Sequence, residues 1–273
     1  MPELPEVETV VRGLARQVTG RRIREVQVLH RPSVAGSPAN PNTAAGHTIE
    51  RVWRRGKFIR IELSGNMAIA VHLRMTGWLG AQSAKTPLDA YVRVVLPLEG
   101  AHDNLVFHDI RTFGRMWFGH TQQLASLPAL TKLGPEPLEI EAVDFVKRLK
   151  AHSGRIKSLL LNQEFLAGVG NIYADESLHA AKIHPLEEGH RISKPRARAL
   201  HAAIQDVLHS SILAGGTSIE NFRDTEGQPG WFQRELLVYG RAGQPCTSCK
   251  TVIRRTVLGQ RGTWFCPSCQ RRR

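Results

Sequence analysis

Four cysteines, Cys246, Cys249, Cys266 and Cys269, lie within the last 28 residues of the chain, and it has no others. They form two C-x2-C pairs separated by 16 residues, a spacing at which four thiolates can converge on one tetrahedral ion. Between the pairs, Thr251–Leu258 reads as a strand, Gly259-Gln260-Arg261-Gly262 as a turn, and Thr263-Trp264-Phe265 as the return strand. That pattern is a zinc ribbon. Four thiolates leave no position for water, so one zinc ion here is structural. Two disulfides would use the same cysteines, but a cytosolic chain keeps its thiols reduced. The ribbon also carries Arg254, Arg255 and Arg261, and Arg271, Arg272 and Arg273 follow it. The last three read as a solvated tail. Arg261, between two glycines in the turn, is the candidate for an inserted contact.

The rest of the chain must position such contacts. It has 273 residues, with 37 Lys+Arg against 24 Asp+Glu, a net charge of +13. An excess of this size favours a polyanionic partner, most often nucleic acid. Hydrophobic residues make up 41%, which excludes wholesale disorder. No apolar run approaches the ~18 residues of a membrane span. Met1-Pro2-Glu3-Leu4-Pro5-Glu6 has no basic segment followed by an apolar stretch, so it does not read as a secretory signal. The expectation is a soluble, cytoplasmic chain.

Val7, Val10, Val11 and Leu14 repeat at helical spacing and predict a helix over 5–16, with Pro5 and Glu6 suited to its first turn. Residues 22–118 read mostly as strands. Ile59, Ile61 and Leu63 alternate with polar or aromatic neighbours, and a second alternation runs through Ile69, Val71, Leu73 and Met75. Further strands are expected over 91–96, 105–110 and 115–118, and the set suggests an antiparallel sandwich or barrel. Leu133-Gly134-Pro135-Glu136-Pro137-Leu138 reads as a linker. Helices follow near 141–150, 155–162, 173–181 and 195–213. Thr217–Trp231, polar and glycine-rich, reads as a mobile loop before the ribbon.

PELPEVET at 2–9, RRGK at 54–57, GVGNIYADESL at 168–178 and the C-terminal ribbon occur in this order, and together they closely resemble bacterial formamidopyrimidine-DNA glycosylase. The endonuclease VIII branch usually opens with PEGPE, and Leu4 favours the purine-lesion branch. The resemblance implies an α+β multi-domain fold. An N-terminal catalytic β-sandwich with flanking helices would span 1–132, with a linker over 133–140. A helix–two-turns–helix DNA-binding domain would span 141–235, and a four-cysteine zinc finger 236–273. It implies a bifunctional glycosylase and lyase acting on double-stranded DNA that contains 8-oxoguanine or formamidopyrimidines, with one structural zinc. The expected enzyme is a monomer associated with the nucleoid. A glycosylase for oxidised pyrimidines and a non-catalytic zinc-ribbon DNA-binding protein are the alternatives.

The chemistry needs a neutral amine. Lysine has a reference pKa near 10.4, whereas an α-amine titrates near ~8. Once Met1 is removed, Pro2 offers a secondary amine there, and by resemblance it is the nucleophile. Glu3 is the expected general acid/base on the sugar. Glu6 either supports the site or serves the helix start. Lys57 is the expected proton donor and phosphate contact in β-elimination, and Arg261 matches an arginine linked to δ-elimination. An arginine stays protonated, so clamping phosphate is the role easier to defend. Met75, Arg111 and Phe113 match residues that fill the void left by a flipped base. Lys157 and Asn171 match positions that grip phosphates. Many members carry a DNA-contacting histidine just before the strand at 92–96; here the stretch is Asp89-Ala90-Tyr91, and the Tyr91 hydroxyl is the candidate donor for that contact.

Overall fold

The computed structural model describes residues 1–100, 103–218 and 222–272. Residues 219–221 of the expected mobile loop and Arg273 of the basic tail lie outside the described residues. The chain divides into two compact units, one formed by Met1–Thr131 with Ala214–Trp231, the other by Lys132–Leu213 with the residues from Phe232 onward.

In the first unit, helix α1 (Leu4–Val18) begins with Pro5 in its first turn. Glu6 reaches back and accepts the Glu3 backbone N–H at 2.8 Å, the return half of a capping box. The Val7, Val10, Val11 and Leu14 stripe is buried. The strands are β1 (Gln27–Val28), β2 (Ile49–Arg55), β3 (Phe58–Leu63), β4 (Met67–His72), β5 (Gly77–Ser83), β6 (Val92–Pro97), β7 (Asp103–Asp109) and β8 (Arg115–His120). Among the described residues they form two four-stranded antiparallel sheets, ordered β1-β6-β7-β5 and β2-β3-β4-β8. Leu79, Val94, Leu96, Leu105 and Phe107 of one sheet share a core with Ile59, Ile61, Ile69, Val71 and Phe118 of the other, and the α1 stripe joins it. Each such side chain contributes about 1.5–3 kcal/mol by leaving water. That common core makes the pair of sheets a sandwich with α1 as a flank. Two short helices follow, α2 (Thr121–Ala125) and α3 (Pro128–Thr131), and Leu124 of α2 covers Ala68 and Ala70 on the outer face of β4.

Two local readings change. The alternation through Leu73 and Met75 predicts a strand that runs past residue 72, but β4 stops at His72. Arg74 takes φ 57°, and Gly77 N–H donates to the Leu73 carbonyl at 3.0 Å, so Met75 rides on a turn. A β-carbon at position 77 would collide with that carbonyl oxygen, so glycine permits the turn. The resemblance also implies that residues 214–231 belong with the helical domain, whereas the described residues of this segment fall in the first unit. Glu6 Oε1 accepts the Thr217 N–H at 2.7 Å, the Trp78 indole donates to the Asp224 carbonyl at 2.8 Å, and Trp231 N–H donates to the Ala214 carbonyl at 2.9 Å.

The second unit contains α4 (Ala142–Ala151), α5 (Ile156–Leu161), α6 (Asn171–Ala180), α7 (Lys194–Leu213), β9 (Arg254–Leu258) and β10 (Arg261–Phe265). Phe145, Leu149, Leu160, Phe165, Tyr173, Leu200, Ile204 and Leu208 are buried. The proline-rich stretch before α4 is irregular but tied down, with Gly134 N–H on the Gln163 carbonyl and Ala167 N–H on that of Pro135. In the ribbon the hairpin turn is only Gly259-Gln260, with φ 53° and 62°. Such two-residue turns match the twist of the flanking strands. Arg261 therefore opens β10 opposite Leu258 instead of lying inside the turn.

Candidate active site and zinc centre

The start of α1 gathers the expected catalytic groups of the first unit. Pro2 is buried, Glu3 is 3% exposed and Glu6 2%. Glu6 serves two backbones at once: one oxygen holds Glu3 N–H, the other Thr217 N–H. It thus joins the helix start to the 214–231 segment. Glu8, on the next turn of α1, makes a longer connection. It pairs with Arg12 one turn on and with Arg54 of β2 at 3.0 Å. Arg54 Nη1 also donates to the Gly56 carbonyl at 3.0 Å, which fixes the turn that presents Lys57. Lys57 is 6% exposed.

His72 sits beside this turn. It is the cross-strand partner of Phe58, whose ring it meets edge-on at 4.7 Å. Burial, then the positive charges of Arg74 and Lys57, pushes its pKa down from 6.5 to about 3. It is neutral at physiological pH. Its Nδ1 lies 3.0 Å from Arg74 N–H and accepts from it, which assigns the proton to Nε2. Two carboxylates, a proline that becomes a secondary amine at a processed N-terminus, and a buried lysine suit covalent attack assisted by acid–base transfer.

Other expected residues of this unit are exposed. Met75 is 38% and Phe113 48% exposed, and the exposed Arg111 holds its guanidinium 4.9 Å from the Phe113 ring centre. Tyr91 is 46% exposed. It stacks edge-on with His108 at 5.8 Å and lies under the Arg93 guanidinium at 5.9 Å.

In the second unit the structure corrects the reading of Lys157. Its side chain is fully buried, so it does not reach a phosphate. It forms an ion pair with Asp175 at 2.7 Å and donates to the Gly262 carbonyl and the Thr263 hydroxyl, each at 2.9 Å. Burial pushes the Asp175 carboxyl up to about 7, against the pull of Lys157. Asn171 opens α6, and its side-chain amide donates to the same Gly262 carbonyl at 3.1 Å. Lys157 and Asn171 both fix the residue next to Arg261, which itself is exposed.

The four cysteines place their sulfur atoms within 4.8 Å of one another, Cys249 and Cys266 at 3.4 Å and Cys246 and Cys269 at 3.9 Å. Zinc–thiolate bonds of ~2.3 Å in a tetrahedron imply S···S edges of roughly 3.8 Å, so the donor set fits one structural zinc. His179 Nε2 lies 3.6 Å from Cys246 Sγ and can support that thiolate. Glu176, one helical step from Asp175, accepts the N–H groups of Leu237, Val238 and Tyr239 at 2.7–2.9 Å.

Sequence reasoning missed His72, Asp109, Asp175 and Glu176. A signal was present for His72, a polar residue between Val71 and Leu73, which are themselves buried.

A sandwich, a helical unit and a four-cysteine ribbon on one basic chain define a modular α+β class with a zinc finger. Residues 1–116 match the formamidopyrimidine-DNA glycosylase N-terminal domain, 133–223 the H2TH domain of the same glycosylase, and 243–272 a zinc finger found in FPG and IleRS. The chain belongs to the formamidopyrimidine-DNA glycosylase family. It is 45% identical to the formamidopyrimidine-DNA glycosylase of Solibacter usitatus, with all of both chains covered. With that of Chloroflexus aurantiacus it shares 42% over 99% of this chain and 98% of the other. Among solved structures it resembles MutM (Fpg) from Thermus thermophilus, with 39% identity, TM-score 0.89 and full coverage of both chains. It also resembles Lactococcus lactis Fpg in complex with DNA containing an abasic site, with 33% identity, TM-score 0.91, and coverage of 99% of this chain and 100% of that one.

Proposed function

We propose that this chain is a bifunctional DNA glycosylase and AP lyase of base-excision repair that removes 8-oxoguanine and formamidopyrimidines from duplex DNA. The observation that supports the reading is the burial of Pro2, Glu3 and Glu6 at the start of α1, and of Lys57 after the turn that Arg54 ties to Glu8 of that helix, in a chain that matches the family over its whole length. Removal of Met1 frees the Pro2 nitrogen. Its lone pair attacks C1′ of the damaged nucleoside, the glycosidic bond breaks, and the base leaves with that electron pair and takes up a proton. Glu3 exchanges the proton that opens the sugar ring, and the product is an iminium between Pro2 and C1′. Loss of a C2′ proton then expels the 3′-phosphate. Lys57 supplies protons and holds phosphate during this step. A second elimination expels the 5′-phosphate while Arg261 clamps it, and water releases the remaining sugar fragment from Pro2. Zinc, when bound by the four cysteines, cross-links the ribbon that carries Arg261.

Met75, Arg111 and Phe113 fill the space of the extruded base, Arg111 by donating to the orphaned cytosine. Tyr91 contributes a hydroxyl to the DNA backbone. Asn171 lies at a helix start suited to phosphate. The enzyme acts as a monomer on chromosomal DNA in the cytoplasm.

Borohydride trapping tests the reading. Reduction in the presence of an 8-oxoguanine:C duplex should cross-link enzyme to DNA, and peptide mapping should place the sugar on Pro2, in protein whose intact mass lacks Met1. A Pro2→Gly control should trap far less. Failure to trap at high protein excess would leave the binding-protein alternative, and faster cleavage of thymine glycol than of 8-oxoguanine would favour the pyrimidine alternative.

A further inference from the structure

A buried carboxylate is costly unless its oxygens are matched by donors. Asp109, at the end of β7, is fully buried. Its Oδ2 accepts the Gly114 N–H at 2.6 Å, and its Oδ1 accepts the Thr76 hydroxyl at 2.5 Å and the Arg111 N–H at 3.3 Å. The Arg111 N–H is shared with Thr76 Oγ1 at 3.0 Å, which closes a ring of three residues. One side chain therefore ties both ends of the 110–114 loop and crosses to the turn after β4.

The supports of this clasp are specific. A β-carbon at position 114 would collide with the Phe107 ring and lie 3.0 Å from Asp109 Oδ2, so only glycine admits the carboxylate. Asp109 is itself held, since its carbonyl accepts from Arg93 Nε at 2.8 Å and its N–H donates to the Tyr91 carbonyl at 3.0 Å. The other end of the Met75 turn is fastened where Arg74 N–H donates to His72 Nδ1. What the clasp presents is unfavourable on its own. Ile110, Phe113 and Met75 are exposed apolar side chains, and Thr112, β-branched, takes φ 58°.

We propose that Asp109, bridged by Thr76, is a positioning residue that locks the Met75 turn and the Arg111–Phe113 loop into one block, so that the three side chains enter the duplex as a unit. The proposal rests on the void-filling reading of those three residues. Its physical advantage is preorganisation: the two segments are ordered on folding, and insertion into DNA meets less of that cost.

Thr76→Val removes the hydroxyl at nearly constant volume, and Thr76→Ser restores it. Thr76→Val should lower single-turnover excision from an 8-oxoguanine:C duplex about tenfold, and should slow the fluorescence change of a 2-aminopurine placed beside the lesion. Thr76→Ser should recover the parent rate to within about twofold, and Asp109→Asn should resemble Thr76→Val. Because Thr76 acts in part through Met75, adding Thr76→Val to Met75→Ala should cost less than the two single effects combined. Full activity of Thr76→Val alongside impaired Met75→Ala and Phe113→Ala would overturn the clasp, as would a Thr76→Val cost that adds undiminished to Met75→Ala. Wild-type excision by Met75→Ala, Arg111→Ala and Phe113→Ala would instead overturn the void-filling reading itself.

Discussion

At the scale of single residues, His72 offers a pH-dependent signature of the first unit. Its folded-state pKa is held near 3 against an ordinary value of 6.5. Below 6.5 the unfolded chain takes up a proton that the folded chain refuses, so stability linked to this group is complete above about pH 6.5 and is lost as pH falls toward 3. At pH 5 the expected loss is about 2 kcal/mol. His72→Asn supplies an acceptor for the Arg74 N–H and does not titrate. Urea unfolding at pH 7 and pH 5, followed through Trp53, Trp78 and Trp117, should show a smaller fall in midpoint for the variant than for the parent. Equal falls would mean that His72 is not held neutral. The alternation that places His72 in a strand is legible, but its burial beside Lys57 depends on a neighbouring strand, and single-sequence periodicity carries no such information.

At the scale of elements, the sequence shows what is local. The α1 stripe, the last helix and the two cysteine knuckles follow from spacings of a few residues, and the structure places them within a residue or two of expectation. β2 and β5 had no such signal: IERVWRR is interrupted by arginines and GWLGAQS by glycines, and both are strands because neighbours complete their ladders. The ends of elements depend on turn geometry, which is why β4 stops short of Met75 and β10 includes Arg261. Lys157 shows the same limit, since a basic residue in a basic chain reads as a phosphate contact until its partner 18 positions away is known. Glu176 is the corresponding device on α6, one carboxylate that holds three consecutive N–H groups just before the ribbon. Glu176→Gln turns part of that acceptor into a donor facing donors. It should cost about 1–3 kcal/mol, read by thermal unfolding of the second unit with zinc release as the marker. Cys249→Ser should lose the metal and weaken lesion-DNA binding while the tryptophan signal of the first unit keeps its unfolding midpoint. Unchanged affinity for lesion DNA would count against the ribbon as a DNA contact.

At the scale of the whole molecule, the relevant quantity is the +13 charge. No helix among the described residues is long and apolar enough to cross a membrane. Spread over arginines and lysines, the positive excess suits a backbone of phosphates, and each phosphate neutralised releases condensed counterions. The logarithm of the association constant should then fall linearly with the logarithm of salt concentration, by about 0.9 per contact. With some six contacts, affinity should drop on the order of 10³-fold between 50 and 200 mM salt. Backbone contacts do not read the base, so undamaged duplex should show nearly the same slope as a duplex with 8-oxoguanine, and the two lines should be offset rather than converge. The offset then measures recognition of the lesion and the slope measures the basic surface. Anisotropy titrations with both duplexes across that range separate the two. A slope near zero would mean that the positive charge serves something other than DNA, and a much steeper slope for the lesion duplex would mean that base extrusion itself recruits further phosphate contacts.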